Sequence, residues 1–572
     1  MAQQKKKDSF VLQAGILAVA GIIVKIIGLL YRSPLTSIIG LEGNGYYSSA
    51  INIYTIILLV SSYSIPSAIS KVIAQRLAYK EYRNAQRVFQ CALIYVVVVG
   101  GIASLFTFFA APILVEDNAV MVLRVFAPTI FFSGLLGVLR GYFQAHGTMM
   151  HTSLSQILEQ ILNAVVSILT AYLLMKMAVG GSETKQAIYG ASGSALGTGI
   201  GVLTALLFMF GMYRLNSGVI RKRVERDRTE KIESYGEIFK VIITIVTPFI
   251  LSTFVYNCST TVNMKIYYNI MMNVAGLDEA TVAIQYGIFA TQAISVVNIP
   301  IAISSAMSSA SIPGVASSYA VHNEEETRRK VGQAIRMTML IAIPATVGLA
   351  VLSKPIMQFI FPQKEALETA SRLLCVLSIT VVLFCLSTLT NAVLQGIGKV
   401  NVPVINAVIA LVVQIGLLIG LLMYTDLGLY ALAFANIGYS FLMCVLNQIA
   451  VRRYLGYRED VMQTFVKPGI AAIGMGVVAL GVFQGVNFLI KISQISLIIA
   501  IGFAVVVYFV LILKLGAVNE AQLKAFPKGT MLVQIAHKMH LLNENKTGET
   551  KVVKKKKKRK KRRKKKVVKK IK

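Results

Sequence analysis

The sequence predicts an all-α polytopic membrane protein of about fourteen transmembrane helices, built as two pseudo-symmetric six-helix lobes plus two extra C-terminal helices. Three observations predict it. Of the 572 residues, 55% are hydrophobic and 15% charged, against about a quarter charged in soluble domains. Apolar runs recur from Val11 to Leu513 with no intervening polar stretch long enough to fold alone. The basic residues alternate in abundance between successive loops, as they do when loops lie on opposite sides of a bilayer.

In chain order, the apolar windows place helices near 12–30, 48–70, 88–111, 119–139, 153–175 and 188–213. A long basic loop follows. Then come 240–258, 282–310, 334–352, 369–393, 402–424, 429–450, 468–487 and 492–513. Lys5 to Lys7 before the first run resemble the start of a cleavable leader, but apolar sequence continues to Leu30, which favours a retained first helix. The division expected is a first lobe over 1–214, a linking loop over 215–239, a second lobe over 240–453 and the extra helix pair over 465–513. An amphipathic surface segment over 514–550 and a polybasic tail over 551–572 complete it.

One set of loops carries Lys71, Arg76, Lys80, Arg83 and Arg87, the basic run from Arg214 to Lys240, Arg328 to Lys330 with Arg336, and Arg452, Arg453, Arg458 and Lys467. The opposite loops hold few cations, among them Arg32, Lys176, Lys185 and Lys265. Positive charge gathers on the cytoplasmic side, so both termini are expected in the cytoplasm, with the chain in a bacterial inner membrane.

A weak internal duplication organises the helices. Ser64-Ile65-Pro66 closes helix 2 as Ser311-Ile312-Pro313 closes helix 8. Leu139-Arg140-Gly141 follows helix 4 as Leu394-Gln395-Gly396 follows helix 10, and Gly190 with Ala195 opens helix 6 as Gly428 with Ala433 opens helix 12. Six helices is an even number, so both copies run the same way and a cleft between two lobes is the expected plan, as in transporters.

The stretches VKIIGLLYRSPLTSIIGLEGNGYYSSAINIY, SIPSAISKVIAQRLA and LQGIGKVNVPVINAVI resemble the polysaccharide-biosynthesis and sporulation-protein-B-like branch of the multidrug/oligosaccharidyl-lipid/polysaccharide flippase superfamily, and within it MurJ-type lipid II flippases. The resemblance covers about residues 8 to 515. It implies two lobes in a V around a cationic cavity, alternating access, and a lipid-tail groove at helices 13 and 14. It also implies that basic residues of helix 1 meet the substrate, which here are Lys25 and Arg32 flanking Gly28. The family's arginine in helix 8 has no counterpart, since no basic residue lies between Ile266 and Ser318.

Lys25 sits deep in helix 1, where an ammonium costs about 2.5–3.5 kcal/mol at the bilayer centre; it either faces a wet, anion-binding cavity or snorkels outward. Arg32, placed at the start of the first outer loop, either grips a pyrophosphate with its fork or anchors the helix in headgroups. Lys71 lies just inside helix 2, near enough to the membrane to meet a pyrophosphate, or serves orientation alone. Glu159 is a gating or ion-site candidate, or a satisfied interfacial carboxylate. Asn257, with Asn263, either faces the cavity or bonds a neighbouring helix. Pro66, Gly141, Pro313 and Gly396 are hinge candidates.

The five cysteines show no metal-ligand spacing, and neither a metal nor another cofactor is expected; the energy comes from an ion gradient (Na⁺ or H⁺), the membrane potential or consumption of the product. Sixteen of the nineteen residues from Lys554 to Lys572 are Lys or Arg, which suits anionic lipid and gives only nonspecific nucleic-acid affinity. The partner expected is a lipid-linked oligosaccharide of the undecaprenyl-pyrophosphate type, with the cell-wall synthesis machinery nearby. The leading function is translocation of such a precursor, lipid II first, between leaflets. A teichoic-acid or capsular cargo and a cation-coupled drug exporter are the alternatives. Absence of a nucleotide-binding loop, and of an acidic pair in a sizeable outer loop, weighs against an ATP-driven pump or an enzyme.

Overall fold

The structure, a computed structural model, describes residues 20–538 except 22, 64, 228–231, 362, 519, 521–522 and 524–528. The polybasic tail and Lys5 to Lys7 lie outside the described residues, and so does the side chain of Pro313. Every regular element among the described residues is helical.

The helices are α1 (Ile23–Leu30), α2 (Arg32–Leu58), α3 (Ile65–Ala78), α4 (Tyr82–Leu114), α5 (Val120–Ala145), α6 (Met149–Met177) and α7 (Glu183–Glu225). There follow α8 (Tyr235–Asn273), α9 (Glu279–Gly287), α10 (Ile294–Ala320), α11 (Glu324–Val351), α12 (Ser353–Ile360), α13 (Lys364–Leu377) and α14 (Ile379–Gly396). The chain ends with α15 (Asn401–Tyr424), α16 (Leu429–Leu455), α17 (Lys467–Ile490), α18 (Ser493–Lys514) and α19 (Gly529–Lys538). Among the described residues, 11 helices are long and apolar enough to cross a membrane, or 12 if α1 and α2, bent by 46°, count as one span. The thirteen runs from 48–70 onward fall on these helices, the seventh forming the 39-residue α8, while residues 12–19 of the first run lie outside the described residues.

Helix 1 does not end at Leu30. It bends, resumes at Arg32, and breaks at Gly40, whose φ of 71° and ψ of 179° no helix allows. Pro34 stands in the first turn of α2, where its missing N–H costs nothing. Arg32 is therefore helical and not in a loop, a correction to its expected place. Helix 2 runs on from there through a π-helical turn, Leu59–Tyr63, into α3.

The two lobes repeat the same pairings. In the first, α5 packs on α3, α4 and α7 while α6 pairs with α7; in the second, α14 packs on α10, α11 and α16 while α15 pairs with α16. Helices α17 and α18 pair with each other against α11. Small residues set the closest approaches, as is usual between membrane helices. Along α7, a Cβ at Gly193 would stand 2.6 Å from the Ala171 backbone and one at Gly197 2.3 Å from that of Ser167.

Cross-lobe bonds concentrate at the end opposite the basic loops. There the Lys265 ammonium meets Glu116 at 3.0 Å and the Asn118 N–H donates to Glu279 at 3.1 Å. Further in, Ser49 donates to Tyr268 at 3.1 Å and Asn52 to Tyr286 at 2.8 Å. At the centre of this seam, a Cβ on Gly45 would fall 2.1 Å from the Ala283 carbonyl oxygen. At the basic end, among the described residues, no hydrogen bond or ion pair joins α3–α7 to α10–α16. What is tied there is the linker before α8: Arg76 pairs with Glu233 at 2.5 Å, and Arg87 donates to the Glu233 carbonyl at 2.7 Å.

Gly45→Val is expected to separate the lobes at the seam, because its side chain has no room against Ala283. Spin labels on Asp117 and Val274 in a cysteine-free background measure this; the distance distribution should lengthen relative to the Gly45 protein, and an unchanged distribution counts against the seam.

Candidate functional site

A cavity of about 470 Å³ lies between the lobes. The first lobe gives it Arg32, Tyr47, Ser48, Asn52 and Thr55 from α2, and the second gives Asn257, Asn263, Asn298 and Asn436. Asn52 is twelve residues past the break at Gly40, hence roughly 18 Å from the seam end at 1.5 Å per residue. That depth is near the middle of a hydrocarbon core about 30 Å thick. Polar groups at this level are expensive unless they bond one another or line a wet cavity.

Among the described residues, Arg32 is the only charged one in the lining. Its guanidinium, half-buried, donates to the Thr291 carbonyl at 3.4 Å and to Ser295 Oγ, both in the second lobe. Both bonds use one terminal nitrogen, so the fork keeps further donors, which are of the kind that fits an anion. Asn263, at 8% exposure, has an Oδ1 with no partner among the described residues, although it borders the cavity. These carboxamides donate and accept alike, so they suit hydroxyl and amide groups on a neutral part of a ligand.

The sequence-predicted residues fall into three groups. Arg32 and Asn257 meet in the cavity. Lys25 is exposed on α1, within electrostatic reach of Arg32, while Gly28 between them faces Gln160 of α6. Lys71 is exposed on α3 and does not line the cavity.

Glu159 lies elsewhere, paired with Arg140 at 2.7 Å. Arg140 also donates to Ser155 at 2.9 Å. Leu139, Arg140 and Gly141 belong to α5 and do not follow it, which corrects the sequence reading and puts a second cation inside the first lobe. Gly141 packs against α3, where a Cβ would lie 2.7 Å from the Pro66 carbonyl oxygen, so two hinge candidates form one helix contact. Gly396 is the last residue of α14, and Pro313 lies within α10.

Sequence reasoning missed Asn52, Asn298 and Asn436. Their only signal is a carboxamide in an apolar run, which cavity-facing and helix-bonding asparagines share; the buried Asn406–Asn447 bond at 2.9 Å is the second kind. The second lobe therefore faces the cavity with amides where the family resemblance implies a cation. Among the described residues, no group of three or more His, Cys, Asp or Glu converges to hold a metal ion.

Two helical lobes joined at one end around a polar mid-membrane cavity are a plan that membrane transporters use. Solved structures share this fold. An inward-facing multidrug resistance MATE family transporter aligns with a TM-score of 0.57 at 18% identity, covering 76% of this chain and 98% of that one. An outward-facing conformation of such a transporter also scores 0.57, at 21% identity over 78% and 96%.

The family model described as lipid II flippase MurJ matches residues 83–501, and the chain belongs to that family. It is a membrane transporter and not an enzyme. Lipid II flippase MurJ of Bacillus subtilis is 25% identical over 81% of this chain and 85% of its own length. Stage V sporulation protein B of the same organism is 22% identical over 91% and 98%.

Arg140→Leu leaves Glu159 without its partner and should lower stability by on the order of 2 kcal/mol. Thermal unfolding in detergent measures the loss. The double variant Arg140→Leu with Glu159→Leu should regain most of it, and equal losses in the single and double variants would contradict a coupled pair.

Proposed function

We propose that this protein carries lipid II, the undecaprenyl-pyrophosphate-linked precursor of peptidoglycan, from the inner to the outer leaflet of the bacterial inner membrane by alternating access. The observation that supports this best is the cavity whose single charged group among the described residues is Arg32. A pyrophosphate fits the guanidinium fork, and the surrounding amides fit a sugar headgroup. The basic loops are taken as cytoplasmic, so both termini lie inside and the seam at Gly45 closes the outer side. The state described is then inward-facing, ready to receive cargo from the leaflet where it is made.

Lys25 lies outside the cavity lining but within electrostatic reach of Arg32, and the two cations together match the charge of a pyrophosphate diester. The polybasic tail holds the chain to anionic lipid, near the cell-wall synthesis machinery. An ion gradient, Na⁺ or H⁺, or the membrane potential drives the cycle. A teichoic-acid or other undecaprenyl-linked cargo has one specific observation in its favour, the likeness over nearly the whole length of a sporulation protein. A cationic drug does not fit a lining whose one charge is positive.

The test is complementation. A Gram-positive host depleted of its own lipid II flippase should regain growth and surface-exposed lipid II with the wild-type gene. Arg32→Ala should abolish rescue and Lys25→Ala weaken it, while all three proteins reach the membrane in equal amount. A well-expressed wild type that fails to rescue refutes lipid II as cargo.

A further inference from the structure

At the basic end of the second lobe, apart from the central cavity, four arginines meet around a recess of about 320 Å³. Three come from the start of α11: Arg328 and Arg336 lie on one face, two turns apart, with Arg329 beside them. The fourth, Arg458, comes from the turn between α16 and α17.

The turn's backbone makes the recess. Gly456 takes a φ of 60° to end α16, and a Cβ there would crowd the Arg328 guanidinium at 3.1 Å. Gly332 leaves space for Tyr457, whose hydroxyl would lie 2.9 Å from a Cβ at that position. Two of the guanidinium groups are held in place, Arg328 by Glu324 and the Leu455 carbonyl and Arg329 by Glu326.

The other two are poorly matched. Arg336 reaches Asp460, the only acid in the lining among the described residues, at 3.4 Å, and Asp460 also accepts from the Gln463 N–H at 3.2 Å. Arg458 is exposed and makes no ion pair among the described residues. The neighbouring carboxylate, Glu459, accepts from Gln448 and Tyr457; burial pushes its carboxyl up while the charge of Arg336 acts in the other direction.

Positive-inside charge explains basic residues in such a loop. It does not explain why guanidinium forks from two separate elements converge on one concavity. Forks of this kind bind phosphate oxygens in pairs. The recess lies where α11 turns apolar and where the π-helical turn Met462–Val466 leads into α17, which is the level of lipid headgroups. We propose that this recess binds the phosphate of an anionic membrane lipid from the leaflet at the basic end. A soluble phosphate offers the same oxygens, but the position at the helix ends favours a headgroup. The site is independent of which cargo the central cavity carries.

The purified full-length protein in detergent is titrated separately with short-chain phosphatidylglycerol, short-chain phosphatidylcholine and inorganic phosphate, and the unfolding midpoint is read. Phosphatidylglycerol should raise the wild-type midpoint and phosphatidylcholine should not. Arg458→Gln breaks no described ion pair, so it should fold; it should raise the half-saturating phosphatidylglycerol concentration about tenfold. Arg458→Lys, which keeps the charge and loses the fork, should recover only part of the affinity. The tail is present in every protein, so its own attraction for lipid cancels from these differences. Identical titrations for wild type, Arg458→Gln and Arg329→Gln with Arg458→Gln overturn the proposal, and inorganic phosphate reproducing the full wild-type shift overturns the lipid as its source.

Discussion

The backbone contact between Gly45 and Ala283 is the constraint on which the rest of the arrangement depends. It lets α2 and α9 touch without side chains between them, and it brings Asn52 and Ser49 within bonding distance of Tyr286 and Tyr268. A bulkier pair there would hold the lobes apart, and the cavity below would have no lid. The contact is also reversible in kind. Polar contacts between membrane helices average about 0.6 kcal/mol, so the few that cross this seam sum to a few kcal/mol. That is within reach of the differential binding energy that shifts a two-state equilibrium. A seam locked by large interdigitating side chains would be harder to open, because packed cores are costly to disrupt.

Much of this plan was legible in the sequence, and the parts that were not share a cause. Long apolar runs and one-sided basic loops report length and sidedness directly, so the helices and their lobes follow from them. The stretch from Arg32 to Ile39 reads as a loop because it is polar and contains Pro34, yet proline in a first helical turn breaks nothing. Arg140 reads as a loop residue because an apolar run ends there; its partner Glu159 lies on the next helix, and a pairing across helices leaves no spacing to detect. Arg32 was identifiable through the family resemblance, against its apparent place in an outer loop, and Asn257 because an amide within an apolar run is uncommon. Asn52, Asn298 and Asn436 also lie in apolar runs, but only the packing says which face of a helix meets the cavity.

Arg32 links the site to the seam. Its bonds to the Thr291 carbonyl and Ser295 Oγ run from the first lobe to the second, so the same guanidinium that suits an anion also ties the lobes together. Under the proposed function, a pyrophosphate entering from the basic end competes for those donors. A phosphate brings a full negative charge and paired oxygens to the guanidinium fork where a carbonyl or hydroxyl brings a neutral acceptor, so the competition favours the substrate. Each donor it takes is a cross-lobe bond lost. Binding and loosening of the seam are then one event, and the second lobe needs no cation of its own for that step. A cation there would hold the anion between the lobes and resist their separation, whereas carboxamides give orientation with little charge to overcome when the cargo leaves.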